Sequence, residues 1–345
     1  MYATNVKKKK CTRFLLVAAG VLVAAFVALV GVALVGNDFR FSERPVSIPG
    51  PEGNLDGVLT LPEDGAARGV VLMVHGDAAA EATQGGFYDP WFEGAADAGF
   101  ATISWSKPGV EGSDGNWLSQ SMSDRAAEVE AVLDWAEQHD GVPTDSIVLW
   151  GASQAGWVLP KVVAARADVD GVVAVGPAIN WLRQGRFNLL AELDHDHAST
   201  QERERAIDES DQTRELLERG ASYEDYLAAT DSADPMSEDR WGFVLRNFGA
   251  DAEADLVAAA DRDVLVHLMV GTHDRNVDIA ETEEVYRSIF GSSLSVTHLD
   301  GAHSLARTVM EDNDVVGLAT AVFWPRALLA PGAIDDYSSF LSTVK

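Results

Sequence analysis

The sequence predicts an α/β protein, a mainly parallel, doubly wound sheet with a helical lid insertion, preceded by one N-terminal transmembrane helix. Three observations carry this reading. Short apolar runs of strand type alternate with stretches of helical period, the pattern of a parallel sheet covered by helices. Residues 179–260 break that alternation with helical patterns only. Residues 14–35 form 22 consecutive positions without a charged or strongly polar side chain.

Taken in order, the apolar run FLLVAAGVLVAAFVALVGVALV is long enough as a helix, at about 1.5 Å per residue, to cross a hydrocarbon core of roughly 30 Å. Lys7, Lys8, Lys9, Lys10 and Arg13 precede it and Asp38 follows. This asymmetry predicts a cytoplasmic basic segment at 1–13, a single pass through the cell membrane at 14–35 and an extracytoplasmic domain. The alternative is a cleaved signal peptide and secretion, but such apolar regions usually span about 7–15 residues, and no A-x-A site follows Val35. Cys11, the single cysteine, excludes an intrachain disulfide and zinc sites of the Cys₂ and Cys₄ types, and lies where lipidation is possible. Residues 36–44 read as a tether and 45–345 as one domain.

Within that domain, Val46–Ile48 and Leu55–Leu61 alternate in strand fashion around a Pro-Gly turn. Gly69–Val74 is a continuous apolar run, the mark of a strand buried on both faces. A helix over Pro90–Ala98 and a strand over Ala101–Trp105 follow. Ser121–Gln138 has Ala126, Val129, Val132, Leu133 and Trp135 at helical spacing, with Ser123 as cap. Next come a strand at Ser146–Trp150, a helix over Gln154–Ala165 and a strand at Gly171–Val175. After the insertion follow a strand at Val264–Val270, a helix at Glu281–Phe290, a strand at Ser293–Leu299 and a final helix near Val315–Leu329.

Composition narrows function. Against 54 Asp+Glu the chain has 26 Lys+Arg, a net charge of −28, which repels phosphate backbones and excludes nucleic acid as a partner. Hydrophobic residues at 47% fit a folded globular chain. Past residue 13 the only lysines are Lys107, Lys161 and Lys345, and this acidic, lysine-poor surface predicts a halophilic setting. The insertion is more acidic still, with 16 acidic and five basic residues over 192–240. It reads as a lid over the strand ends or as a solvated helical decoration.

The chemistry concentrates in three turns. At Leu149-Trp150-Gly151-Ala152-Ser153-Gln154-Ala155-Gly156 an apolar strand meets a helix through small residues, as a sharp turn demands. Such a turn raises the Ser153 hydroxyl at the carboxyl edge of the sheet and aims free N–H groups at the same point. The plain alternative for Ser153 is a helix N-cap. Asp274 follows the strand VLVHLMV, in Gly271-Thr272-His273-Asp274, and His303 follows SVTHL, in Asp300-Gly301-Ala302-His303. A serine hydroxyl needs a base to take its proton, which His303 would supply, with Asp274 fixing the tautomer of the imidazole. Alone, Asp274 reads as a turn carboxylate and His303 as a surface histidine. Asp278 reads as a helix start, His267 and His298 as packed strand residues, and His195 and His197 as solvated rather than metal-binding. An oxyanion hole would take the N–H of Gln154 and a second N–H after His75-Gly76, from Asp77 or Ala78, although an inward Asp77 carboxylate would oppose the developing charge.

The 149–156 motif resembles the nucleophile elbow G-x-S-x-G of the α/β-hydrolase fold, with Ala155 at the second glycine, and the order Ser…Asp…His is that of this fold. Trp105-Ser106-Lys107-Pro108-Gly109-Val110-Glu111-Gly112-Ser113 resembles the D-K-P-G-x-G-x-S loop of the bacterial and archaeal group that includes dienelactone hydrolases and acyl-CoA thioesterases, with Ser106 at the aspartate. The resemblance implies a serine hydrolase acting on a small-molecule ester, thioester or amide, with Lys107-Pro108-Gly109 near the site and no cofactor or metal. A peptidase, a thioesterase and a non-catalytic binding module of the same fold remain alternatives. Trp105, Trp150, Trp157 and Trp181 are candidates for an apolar acyl pocket.

Overall fold

The computed structural model describes residues 3–345, and of these the side chains of 3–19, Glu311 and Asp314 lie outside the description. The basic cluster and Cys11 therefore fall outside the described side chains. Helix α1 runs Ala3–Gly36. Its side chains from Val21 to Val35 are apolar and largely exposed. Among the described residues, no helix is long and apolar enough to cross a membrane.

Eight strands form one sheet in the order β1-β2-β4-β3-β5-β6-β7-β8. They are β1 (Phe41–Gly50), β2 (Gly53–Pro62), β3 (Gly69–Val74), β4 (Phe100–Trp105), β5 (Ile147–Ala152), β6 (Gly171–Val175), β7 (Leu265–Gly271) and β8 (Leu294–Leu299). The first two form an antiparallel hairpin turned at Pro51-Glu52, β2 also pairs antiparallel with β4, and the remaining five pairings are parallel. Successive side chains of a strand point to opposite faces, so the continuous apolar runs of β3, β5 and β6 feed two separate cores. Val70, Leu72, Leu149 and Val172 pack under α3 (Met122–Gln138), α4 (Leu159–Ala165), α9 (Glu253–Ala260) and α10 (Ile279–Phe290). Val71, Met73, Val148 and Val173 pack under α2 (Asp89–Asp97) and α13 (Ala333–Leu341).

Local chemistry explains where several predicted boundaries move. Ser121, not Ser123, caps α3, because Asp124 completes a reciprocal capping box with it. The segment 154–165 is two pieces, a 3₁₀ turn at Ser153–Trp157 and then α4, with Pro160 in the first turn of the latter. After the short α11 (Thr308–Glu311), the expected last helix divides into α12 (Asp314–Phe323) and a 3₁₀ turn at Pro325–Leu328, and α13 lies beyond it. The insertion comprises α5 (Trp181–His195), α6 (Thr200–Glu218), α7 (Tyr223–Ala229) and α8 (Glu238–Asn247). Helix α9, within the range assigned to the lid, instead buries Leu256 and Ala259 in the main core.

The tether expected at 36–44 is mostly structured, since β1 begins at Phe41. Arg326 clasps the short joint that remains. Its guanidinium donates to Gly36 O at 2.8 Å and Asp38 O at 2.7 Å, and to both oxygens of the buried Glu93 carboxylate at 2.8 Å. Burial pushes the Glu93 carboxyl up, but the bonds from Arg326 outweigh this and hold it below the usual range. Replacing Arg326 by alanine strands that carboxylate with only the exposed Arg40 as partner, and should cost about 2 kcal/mol. Urea unfolding of the two proteins checks this, and Arg40→Ala should cost less because its head is 64% exposed.

Candidate active site

Ser153 sits at the end of β5 with φ 53°, a strained value for a residue with a Cβ. The surroundings force it. A Cβ on Gly151 would lie 2.7 Å from the Ala155 Cβ, and one on Gly156 would lie 2.7 Å from the Pro177 Cβ. The chain therefore has to turn on small residues, and the turn lifts Ser153 into a cavity of about 840 Å³ at the carboxyl ends of the strands. The loop after β3 closes on the same point, since a Cβ on Gly76 would lie 3.3 Å from the Ser153 Cβ.

Asp274 and His303 meet beside it. His303 Nδ1 lies 2.8 Å from Asp274 Oδ2, and the Asp274 carboxylate has no exposed surface. Its other oxygen accepts from the N–H groups of Asn276 at 2.7 Å and Val277 at 2.9 Å, so the buried charge is fully bonded. Gly176, φ 50°, gives this pair its room, because a Cβ there would stand 3.3 Å from His303 Nδ1 and 3.4 Å from Asp274 Oδ2. His303 and Ser153 line the same cavity, and the Ser153 hydroxyl makes no hydrogen bond among the described residues. Asp278 caps α10 through the N–H groups of Ala280 and Glu281. His267 is buried between Ser295 and Asp336, whereas His298, expected to be packed, is exposed and bonds Glu283.

The loop His75–Ala78 rests on two buried cations. Lys107 Nζ donates to Gly76 O at 2.6 Å and Ala78 O at 2.9 Å, and lies 4.5 Å above the Trp117 ring. Arg125 donates to His75 O at 2.7 Å and to Gln154 Oε1 at 2.6 Å. Burial drives the Lys107 ammonium well below its ordinary pKa, with Arg125 adding repulsion. Burial likewise lowers His75 to about 3, leaving it a neutral ring against Trp105 O. The N–H group of Asp77 makes no backbone hydrogen bond among the described residues, whereas that of Ala78 supports the Asp77 carboxylate.

The Asp77 side chain is held on both sides. Arg240, on α8 of the insertion, grips both of its oxygens at 3.0 and 2.5 Å, and Gln154 Nε2 donates to one of them at 3.1 Å. Sequence reasoning missed Arg240, Arg125 and Gln154's side-chain role. Arg125 lies among the apolar positions of α3, an out-of-place charge that could have marked it. Arg240 has no local signal, since it meets Asp77 across 163 residues.

Around these groups stand Trp117, Trp150, Trp157, Trp181, Phe87 and Tyr88. Trp157 and Trp181 stack at 5.0 Å. Trp105 is absent from this wall. It is buried below the site and donates to Glu128 at 2.7 Å. His195 and His197 lie at the end of α5, where His195 meets Arg275 at 3.3 Å, and no group of metal-type side chains forms among the described residues.

A family model described as serine aminopeptidase, S33, matches residues 65–306. The chain belongs to that family. The hydrolase also resembles solved structures at 14% identity. Est1E from Butyrivibrio proteoclasticus with bound ferulic acid gives a TM-score of 0.53 over 86% of this chain and 96% of that one. Esterase Pf2001 from Pyrococcus furiosus gives 0.51 over 82% and 92%, and a predicted CIB-like hydrolase from Thermoplasma acidophilum 0.50 over 88% and 100%. At these identities the likeness is one of fold. Comparison with curated proteins gives no match. With the S33 family match, these place the hydrolase in the α/β-hydrolase fold.

The Arg240–Asp77 bridge makes the insertion's contact with the hydrolase core pH-dependent. Burial pushes the Asp77 carboxyl up, but the hydrogen bond and charge of Arg240 draw it down further, to below its usual value. A depressed acid contributes stability above the ordinary carboxylate range, near about pH 4, and loses it as pH falls through the lower folded value. Arg240→Leu should therefore lower the melting temperature by a constant amount above about pH 5, and the gap to wild type should close below about pH 4.

Proposed function

We propose that the protein is a membrane-anchored serine hydrolase that cleaves uncharged carboxylic esters through an acyl-enzyme. Ser153 attacks the carbonyl carbon as His303 takes its proton, and His303 returns that proton to the departing alkoxide. Water, activated by the same imidazole, then releases the acid. Asp274 holds His303 Nδ1–H and stabilises the imidazolium. The N–H groups of Gln154 and Asp77 bind the oxyanion. Because carbonyl and N–H of one peptide point opposite ways, Lys107 drawing on Gly76 O turns the Asp77 N–H toward the cavity, which favours it over Ala78 as the second donor.

The buried, fully bonded Asp274–His303 pair opening on the cavity of Ser153 is the observation that carries this reading. Charge selects the substrate class. Asp77 is the sole carboxylate among the described residues lining the cavity, and Arg240 neutralises it. A free α-ammonium of a peptide would find no carboxylate of its own there, and a polyphosphate such as that of CoA would find no unpaired guanidinium on that wall. The family's description names an aminopeptidase, and this keeps peptide cleavage as the second reading.

The anchor reading rests on the 22 apolar residues and the basic flank, which orient the domain outward, and the acid surplus on a saline exterior. A panel of p-nitrophenyl esters and aminoacyl anilides, run from low to molar KCl, tests the chemistry. We expect ester turnover at least about 100-fold above anilide turnover, and loss of at least about 10³-fold in Ser153→Ala. Faster anilide cleavage would establish the peptidase, and full esterase activity in Ser153→Ala would move the nucleophile elsewhere.

A further inference from the structure

Helix α12 carries an apolar surface that the rest of the domain does not cover. Val315 is 77% exposed, Leu318 69%, Val322 50% and the adjoining Trp324 43%. No charged side chain occurs from Val315 to Pro325, in a chain with 54 acidic residues. Leaving such side chains in water forgoes the free energy of burying them, so a contiguous patch of them marks a contact surface.

The surface is continuous with the end of α1. Phe26, Leu29, Val30 and Leu34 of α1 share with Val322 and Phe323 an apolar groove of about 530 Å³. Asn37 Nδ2 donates to Val322 O at 3.0 Å, and a Cβ on Gly36 would meet the Trp324 ring at 3.1 Å. Arg326, two residues past Trp324, holds Gly36 O and Asp38 O, so α12 is tied to the last turn of α1 from both ends of the contact.

We propose that α12 is a second membrane contact, seated in the acyl-chain region of the leaflet beside the exit of α1. The inference rests on reading 14–35 as the anchor. If that run occupies the hydrocarbon, its final turns lie at the interface, and α12, fixed against them, lies there too. Trp324 then takes the interfacial position that tryptophan favours. The acidic body gains nothing from anionic head groups, so apolar burial has to supply the attraction. The segment 307–328 closes on itself just past the His303 turn, through the bridge Ala306–Leu329 and the bond from Arg307 N–H to Leu328 O at 2.9 Å. Membrane seating would thus fix the excursion that springs directly from the turn carrying His303.

The test uses the full chain in phosphatidylcholine vesicles, with Cys11→Ser and a single NBD-labelled cysteine at Val27→Cys or at Leu318→Cys. Lipids brominated on their acyl chains should quench both labels at least about twofold relative to unbrominated vesicles. Quenching at 27 with none at 318 overturns the membrane seating of α12 and leaves the anchor standing, as when a second copy covers that face. No quenching at 27 overturns the anchor reading and the seating of α12 with it.

Discussion

Lys107 and Arg125 lie almost wholly out of water beneath the His75–Ala78 loop, and the geometry of the cavity depends on where they put their hydrogen bonds. Burying a cation costs several kcal/mol unless its donors are satisfied. Here the donors go to main-chain carbonyls of the loop, to Gln154 and to no carboxylate. With Gly76 O drawn to Lys107, the opposing Asp77 N–H is the donor that the proposed mechanism uses. The same Gln154 that receives Arg125 donates to Asp77, and Asp77 is gripped from above by Arg240. A chain of polar contacts therefore runs from α3 through the floor of the cavity to α8 of the insertion.

This arrangement resolves the tension between a strongly acidic chain and a site that must stabilise negative charge. The acid surplus sits on the outside, while Lys107 and Arg125 underlie the cavity and the one carboxylate among its described lining residues is paired with Arg240. On the proposed mechanism a developing oxyanion would meet N–H groups rather than the field of the surface. On the proposed reading, the same neutrality leaves the aromatic wall as the main source of substrate binding.

Much of the framework was legible in the chain because its signals are local. Continuous apolar runs marked β3, β5 and β6, and the small residues at 151, 152, 155 and 156 marked the turn at Ser153. Asp274 and His303 were legible because each directly follows a strand end. What escaped was non-local or ambiguous in period. Ser121 and Ser123 are both plausible caps, and only the reach of Asp124 decides between them. Residues 41–44 carry little apolar pattern because β1 is an exposed edge strand whose pairing with β2 defines it. Arg240 and Asp77 are distant in sequence, and no spacing rule joins them. The partner of the Asp77 carboxylate likewise comes from another element of the fold, Arg240 on α8.

Everything proposed for the chemistry depends on Ser153 being a nucleophile activated by His303. Treating the folded, full-length chain with a fluorophosphonate and mapping the adduct by peptide mass spectrometry measures this directly. A single phosphonyl adduct on Ser153, abolished by prior denaturation and by His303→Ala, is the result the account predicts. A folded chain that takes up no label, or carries it on another residue, would contradict it.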